Sequence, residues 1–315
     1  SQTVISDAGE TRALMHLVAK MHYEAELPQV QIARQLGVST ATISRLLQGA
    51  RTEGFVRIEV RDLVVPDALG AGLERALGLR RVAVIESPAS GGGMALAGPL
   101  ATMLRTANMA PGSVLALGWG RAIGGVLEAG LPQMPGVLVV PATGGMSQHQ
   151  AYFQINEFAR VAAEHVGGPA FFIHAPVLPS ATARDSFLAD PGIAQAVALW
   201  DRIDVAVVGV GLPHALNAPD ASVATPDEQM LVDAAGDVVR HYFDVQGNPI
   251  DWDGADRLIA VSPAQLRKAR LVIGVAAGEA KVEAIIGAAR AQLINALVTD
   301  ATTAQAILKH LALPV

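Results

Sequence analysis

The chain has 315 residues, 51% of them hydrophobic and 17% charged, with a net charge of −6 and no cysteine. That length makes two domains the expectation, and the composition is that of a globular protein with ample chain to bury a core. The missing cysteine excludes disulfides, thiolate metal sites and a cysteine nucleophile, and apolar runs such as VAVVGVGL are strand-length, too short to span a bilayer.

No charged-then-apolar secretory pattern opens the chain, so the expectation is a cytoplasmic protein with no membrane partner. Residues 1–60 carry six Lys/Arg and six Asp/Glu, so the negative charge lies in the remainder. A neutral segment can still present a basic face, but one copy would bind nucleic acid only modestly.

From Ala13 to Tyr23 apolar residues recur at Leu14, Leu17, Val18 and Met21, which is helical spacing. Pro28 opens a second helix through Leu36, and Gly37 stops it. Ser39 can cap a third, from Thr40 to Thr52, with Ile43, Leu46, Leu47 and Ala50 on its buried face. EGFVRIEVRDL alternates apolar and charged residues and reads as a strand. In a frame counted from Gln29, Ala33 falls where two helices cross closely. Gly37 falls at the turn, where positive φ is favoured. Val38, Ile43 and Leu46 are the apolar pins between the helices. Ser39, Thr40, Thr42, Ser44, Arg45 and Gln48 are left on the outer face of the third helix. Short donors and acceptors with one arginine suit base edges and phosphates in a major groove. The bland reading is a three-helix module that docks only to protein.

Residues 61–80 read as a helical connection. From Val82 strands alternate with helices: VAVIE, SVLALGW, VLVVPA, AFFIHAP, DVAVVGVG, LVIGVAAG and LINALVTD. Several are continuous apolar runs, as in parallel strands covered on both faces. Thr225-Pro226-x-Glu228, Ser262-Pro263 and Asp300 mark helix starts. The expected organisation is an α/β protein. A small all-α helix-turn-helix domain (1–60) is followed by a linker helix (61–80) and an open, mostly parallel sheet domain (81–315).

The helix-turn-helix, EGFVRIEV, GWGRAIGGV, VVPATGGM, FFIHAPVLPS, GDVVRHYFDVQGNPI and LINALVTDATTAQAIL together resemble the SorC family of sugar-responsive bacterial transcription regulators. The resemblance covers essentially the whole chain, in order. It implies an effector domain similar in fold to sugar-phosphate isomerases, assembly into a homodimer or homotetramer, and double-stranded operator DNA as partner. Gln29 joins the outward residues of the third helix as a candidate DNA contact.

The effector candidates follow the strands. LALGWGRAIGG is a strand, a glycine turn and a helix, whose first N–H groups attract oxygens. Gly118 and Gly120 allow close approach, Trp119 can stack on a sugar face or cover the core, and Arg121 adds charge. The segment is neither a P-loop nor a complete GxGxxG. Thr143, Gly144 and Gly145 form a second candidate nest. Gln154 and Asn156 open the next helix, at what in similar proteins is the sugar site; for Asn156 helix capping is the alternative. His174 ends the FFIH run at the carboxyl edge where open sheets bind ligands, or is a structural hydrogen-bonder. Asp237 either accepts from sugar hydroxyls or is a turn residue. Lys281 stands near a helix N-terminus, where an anion would explain it: a ligand phosphate, Glu279 or another carboxylate.

His149, His165, His174 and His214 show no ligand spacing, so no metal and no cofactor are expected. An isomerase would need a base against a carbon acid. Asp237 and Glu157 are the candidate carboxylates, without a recognisable catalytic set, so no enzyme is expected. The remaining alternative is a sugar sensor acting through protein contacts. Regulators similar to this one that answer to doubly phosphorylated sugars carry arginine where Thr143 stands. The expected effector is therefore a neutral sugar or polyol first, a sugar monophosphate second and a bisphosphate last.

Overall fold

The structure is a computed structural model that describes residues 2–58, 60, 67–86, 92–146, 154–212 and 224–312. The chain divides into two compact units, Ser1–Arg61 and Asp62–Val315.

In the first unit α1 (Gln2–Ala19) runs on into a π-helical turn (Lys20–Glu24), followed by α2 (Gln29–Leu36) and α3 (Thr40–Thr52). Val18, Ile32, Ala33, Ile43, Leu46 and Leu47 form its buried core. Gly37 closes α2 at φ 65° and donates its N–H to the Ala33 carbonyl, the left-handed stop that glycine adopts without strain. Ser39 caps α3 by accepting from the Thr42 N–H.

The strand expected at 53–63 is corrected where it is described. Residues 53–58 are turn and coil. The Val56 N–H returns to the Ala50 carbonyl. Phe55 leaves the alternation to lie beneath the Arg12 guanidinium, 5.2 Å from the ring centre, and edge-on to His16. Alternation alone makes no strand without a partner to complete its ladder. Residues 59 and 61–63 lie outside the described residues.

In the second unit α4 (Asp67–Leu77) leads to β1 (Arg81–Ile85), then α5 (Ala97–Thr106), β2 (Val114–Leu117), α6 (Arg121–Ala129), β3 (Leu138–Pro141) and α7 (Ile155–Val166). Next come α8 (Ala181–Ala189), α9 (Pro191–Ala198), β4 (Val205–Gly209), α10 (Pro226–Gln229) and a hairpin with an added edge, β5 (Gly236–Val238), β6 (His241–Phe243) and β7 (Pro249–Ile250). The chain closes with α11 (Pro263–Lys268), β8 (Leu271–Val275), α12 (Val282–Arg290), β9 (Ala296–Asp300) and α13 (Ala301–Ala312).

β1, β9, β8, β4, β2 and β3 lie side by side in that order, all parallel; β5–β7 form a small antiparallel sheet. Alternate residues feed two cores. Ala116, Val140, Ala206, Val208 and Leu297 meet Leu73 of α4, Ile285 of α12 and Ile307 of α13. Leu115, Leu117, Val139, Val207 and Ile273 meet α5, α6 and α7 through Leu100, Ile123 and Phe158. Burial on both faces is why these strands read as unbroken apolar runs. The helix expected as a linker is built into this unit, with Leu73 and Leu77 in its core.

AFFIHAP is not a regular strand. It bridges β3 only at Val139–Ala170 and meets Gly145 at Pro176. The Asn156 amide takes both the N–H and the carbonyl of Ile173, at 2.9 and 3.1 Å, and Pro176 has no N–H to give. Thr225 and Glu228 complete the expected capping box, as do Ser262 and Gln265. Asp300 accepts from the Thr303 N–H at 2.8 Å.

Candidate functional site

In the first unit the outward set is in place. Ser39, Thr40, Ser44, Arg45 and Gln48 are exposed, and Gln29 and Thr42 partly so. Ser39 and Thr42 share a hydroxyl contact of 2.9 Å, and Arg45 reaches Thr42 Oγ1 at 3.5 Å. Ile43, Leu46 and Leu47 face the other way, into the core. One side of α3 is therefore a polar ridge held rigid from behind, the shape that enters a major groove.

In the second unit the strand order reverses about β2. β3 lies on its one side, while β4, which follows β3, lies on the other. Their carboxyl ends bound a crevice of the kind in which open sheets hold ligands. Gly118 follows β2 and donates to the Val207 carbonyl at 2.8 Å. A Cβ on it would stand 3.3 Å from Val208 Cα. Gly120 begins α6 at φ 128° with no side chain capping the helix, and Arg121 is exposed just after it. Trp119 is partly buried.

Asp237 and Lys281 converge on the chain leaving β4. Lys281 Nζ donates to the Val210 carbonyl. Gly211 and Asp237 form an antiparallel bridge, and Asp237 Oδ2 accepts the Arg240 N–H at 3.1 Å. The turn role thus belongs to Asp237, which packs against the chain leaving β4. Gly211, which sequence reasoning passed over, is the surface it rests on; its signal was the second glycine of VGVG at a strand's carboxyl end.

The second nest is corrected. The Gly144 N–H goes to the Ile259 carbonyl and the Gly145 N–H to the Ala175 carbonyl, at 2.8 and 2.7 Å. A Cβ on Gly144 would stand 2.7 Å from Ala175 O. These glycines permit close packing of main chains rather than cradling an anion. Thr143 is fully buried, and its hydroxyl has no hydrogen-bond partner among the described residues. Asn156 is no helix cap: its amide is the clasp on Ile173. Gln154 precedes α7, where its carbonyl accepts from Phe158.

Gly145, Asn156 and His174 do meet at one place. With Met146, Ile173, Val177, Leu178, Phe187, Thr225 and Arg240 among their neighbours, they line a cleft of about 580 Å³. His174 is exposed on it, tilted against Phe172 at 6.0 Å. Arg240 forms a buried ion pair with Glu228, whose carboxylate also accepts from Tyr242 and from the Thr225 N–H. Burial alone would raise the Glu228 carboxyl, but the Arg240 and Tyr242 donors hold it below the usual range.

Glu157 is exposed and paired with Arg160 at 2.7 Å, so it is no base in waiting. His165 accepts the Leu131 N–H at 3.2 Å. Among the described residues no three His, Asp or Glu gather to hold a metal ion; His149 and His214 lie outside them. No helix among the described residues is long and apolar enough to cross a membrane.

An exposed polar helix face in the first unit and, in the second, an open parallel sheet whose strand order reverses at β2 are the two parts of a ligand-controlled regulator. The chain belongs to the SorC family of transcription regulators: the model of the "Putative sugar-binding domain" matches residues 63–309, and a family member is 30% identical over 308 residues. That relative is the sorbitol operon regulator of Klebsiella pneumoniae, with 93% of this chain and 96% of the relative covered. The deoxyribonucleoside regulator of Bacillus subtilis is 29% identical, with 96% of this chain and 99% of that protein covered. The crystal structure of full-length SorC from Klebsiella pneumoniae matches with a TM-score of 0.71 at 29% identity, over 95% of this chain and 99% of that one. The chain is thus an effector-responsive regulator with DNA and a sugar-class effector as partners, and not an isomerase.

Proposed function

We propose that the chain reads a two-fold related operator as a homodimer or homotetramer in the cytoplasm, and that a neutral polyol or sugar in the second unit sets its affinity for that DNA. The observation that carries the reading is the exposed ridge Ser39, Thr40, Thr42, Ser44, Arg45 and Gln48 on a helix pinned from behind. Gln29, at the start of α2, adds a flanking contact. Residues 1–60 form the reader, and the remainder holds the effector and the contacts between copies. One neutral reading unit makes few phosphate contacts, so specific binding calls for at least two copies.

The effector lies along the carboxyl edge of the sheet. Gly118, Trp119, Gly120 and Arg121 bound it on one side, Asp237 and Lys281 on the other, and Gln154, Asn156 and His174 extend it past β3. Gly145 shapes the wall of this edge, with Gly144 and the fully buried Thr143 packed behind it. Asp237 is an acceptor suited to sugar hydroxyls and repels phosphate. Arg121 and Lys281 leave a monophosphate second in order, and a bisphosphate last. The Klebsiella relative is named for a sorbitol operon, which supports a polyol.

A gel shift with DNA from the gene's own upstream region tests this, run with and without polyols, free sugars and sugar phosphates. A specific shift altered by a neutral polyol or sugar is the expected result. Specific binding that responds only to a bisphosphate overturns the effector assignment, and a monomer in ultracentrifugation that still binds tightly overturns the assembly.

A further inference from the structure

The turn between β5 and β6 is a two-residue hairpin loop, since Val238 pairs with His241. Its residues, Val239 and Arg240, both stand at positive φ, 52° and 60°. Loops of this kind favour asparagine and glycine, and a β-branched residue there is strained. Such strain persists where the surroundings over-determine it, and it gathers at ligand clamps. Here the surroundings are explicit. Asp237 Oδ2 takes the Arg240 N–H, Glu228 takes the guanidinium, and the Trp252 ring lies 5.8 Å from the guanidinium carbon.

The guanidinium is a flat fork with donors along its side and across its end. Glu228 occupies the side, through Nε at 3.0 Å and through Nη2. Among the described residues nothing accepts from the Nη1–Nη2 end. Arg240 is nonetheless a wall of the 580 Å³ cleft. Arg240 thus brings a preformed pair of donors to a cleft lined by apolar Ile173, Val177, Leu178, Phe187 and Met146 beside polar Asn156, His174 and Thr225.

We propose that the end of the Arg240 fork is a subsite for a vicinal pair of hydroxyls on the neutral effector, whose carbon chain lies against those apolar walls. The assignment rests on the sugar reading above and deepens it. Two oxygens on adjacent carbons match two parallel N–H donors. A carboxylate would match the shape as well, but charge argues against it. Glu228 already neutralises Arg240, and Asp237 sits on the same turn. A ligand acid would be a third carboxylate around one cation, in a protein whose net charge is −6. Glu228 cannot step aside to relieve it, because Arg240, Tyr242 and the Thr225 N–H all hold it.

Titration calorimetry on the full-length protein tests the subsite, with D-glucitol, D-mannitol, xylitol, D-glucose and D-gluconate as probes. The wild type is expected to bind a polyol or the sugar more tightly than gluconate. Arg240→Lys keeps the charge opposite Glu228 but has no fork, and is expected to weaken that binding by about tenfold or more, with its melting temperature near wild type. Unchanged affinity in a folded Arg240→Lys protein overturns the subsite while leaving the sugar reading intact. Gluconate as the tightest probe overturns the neutral assignment. A wild type that binds none of the probes removes the sugar reading and the subsite together. Should Arg240→Lys fail to fold, Glu228→Gln decides. It removes the carboxylate paired with the guanidinium, leaving only Asp237 nearby, and is expected to shift preference toward gluconate by about tenfold; an unmoved ratio overturns the proposal.

Discussion

A Cβ on Gly211 would stand 2.1 Å from Oδ1 of Asp237. The two residues also exchange main-chain hydrogen bonds, at 2.9 and 3.3 Å. The end of β4 and the start of the β5–β6 hairpin are therefore locked together, and only glycine fits between them. Gly211→Ala is expected to cost about 1–3 kcal/mol, because the Asp237 carboxylate must move. It is also expected to blunt the response to effector. Denaturant unfolding and gel shifts check both; wild-type values for the two would show that Asp237 has room to swing away.

Arg45 stands on the exposed face of α3 and donates to Thr42 Oγ1 at 3.5 Å. Arg45→Ala is expected to weaken operator binding by at least about 1 kcal/mol, whether its contact is a guanine or a phosphate. Effector binding in the second unit should be untouched. Operator affinity equal to wild type would mean that another face of the first unit meets DNA.

Asn156 holds both main-chain polar groups of Ile173. Asn156→Ala leaves them without that partner, with an expected cost of about 1–3 kcal/mol. The loss is local. Hydrogen exchange at the Ile173 amide should quicken while the β4 amides keep their protection. Uniform quickening across the sheet would instead make Asn156 a global support.

His241 donates from Nε2 to the Val261 carbonyl at 2.7 Å. Burial pushes its pKa down, the Val261 bond opposes this, and Arg267 adds to the fall. The unfolded chain titrates near the ordinary value of about 6.5. Above that pH both states are neutral and stability is full. Below it the unfolded state binds the proton first, so stability is lost as pH falls toward the depressed folded pKa. The melting temperature should drop between about pH 7.5 and about pH 5.5, and drop less in His241→Gln. Equal drops would move the acid sensitivity elsewhere.

The parts legible in the sequence were those written by neighbours in the chain. Ala33, Gly37 and Ile43 sit within one short frame, and a turn has few ways to be built. Thr225 with Glu228, and Ser262 with Gln265, are caps at fixed short spacing. The β-strands announced themselves because burial on both faces leaves no polar interruption. What was missed depends on distance along the chain. Asn156 reaches Ile173 across 17 positions, so a helix-opening asparagine looked like a cap. Gly144 looked like an anion cradle because the chain it packs against, near Ala175 and Pro176, cannot be seen from its own segment. Glu228 read as a capping residue, and its second task, holding Arg240, appears only once the hairpin folds beneath it. The strand expected from residue 53 failed over 53–58 for the opposite reason: its pattern was right, but Phe55 found Arg12 and His16 instead of a neighbouring strand.

The even charge of the first 60 residues, six basic against six acidic, bears on how the protein finds its target. Arg12 already lies 3.4 Å from Glu53, and Lys20 3.6 Å from Glu24. Few cations are left to displace the ions condensed on a duplex, and that displacement is what holds most regulators to arbitrary DNA. Weak adhesion to the rest of the chromosome, with a shallow dependence on salt, is the expected consequence. Such a protein gains little by sliding. A search by repeated collision from solution is the expected behaviour, and a salt dependence of non-specific binding as steep as that of a strongly basic regulator would overturn it.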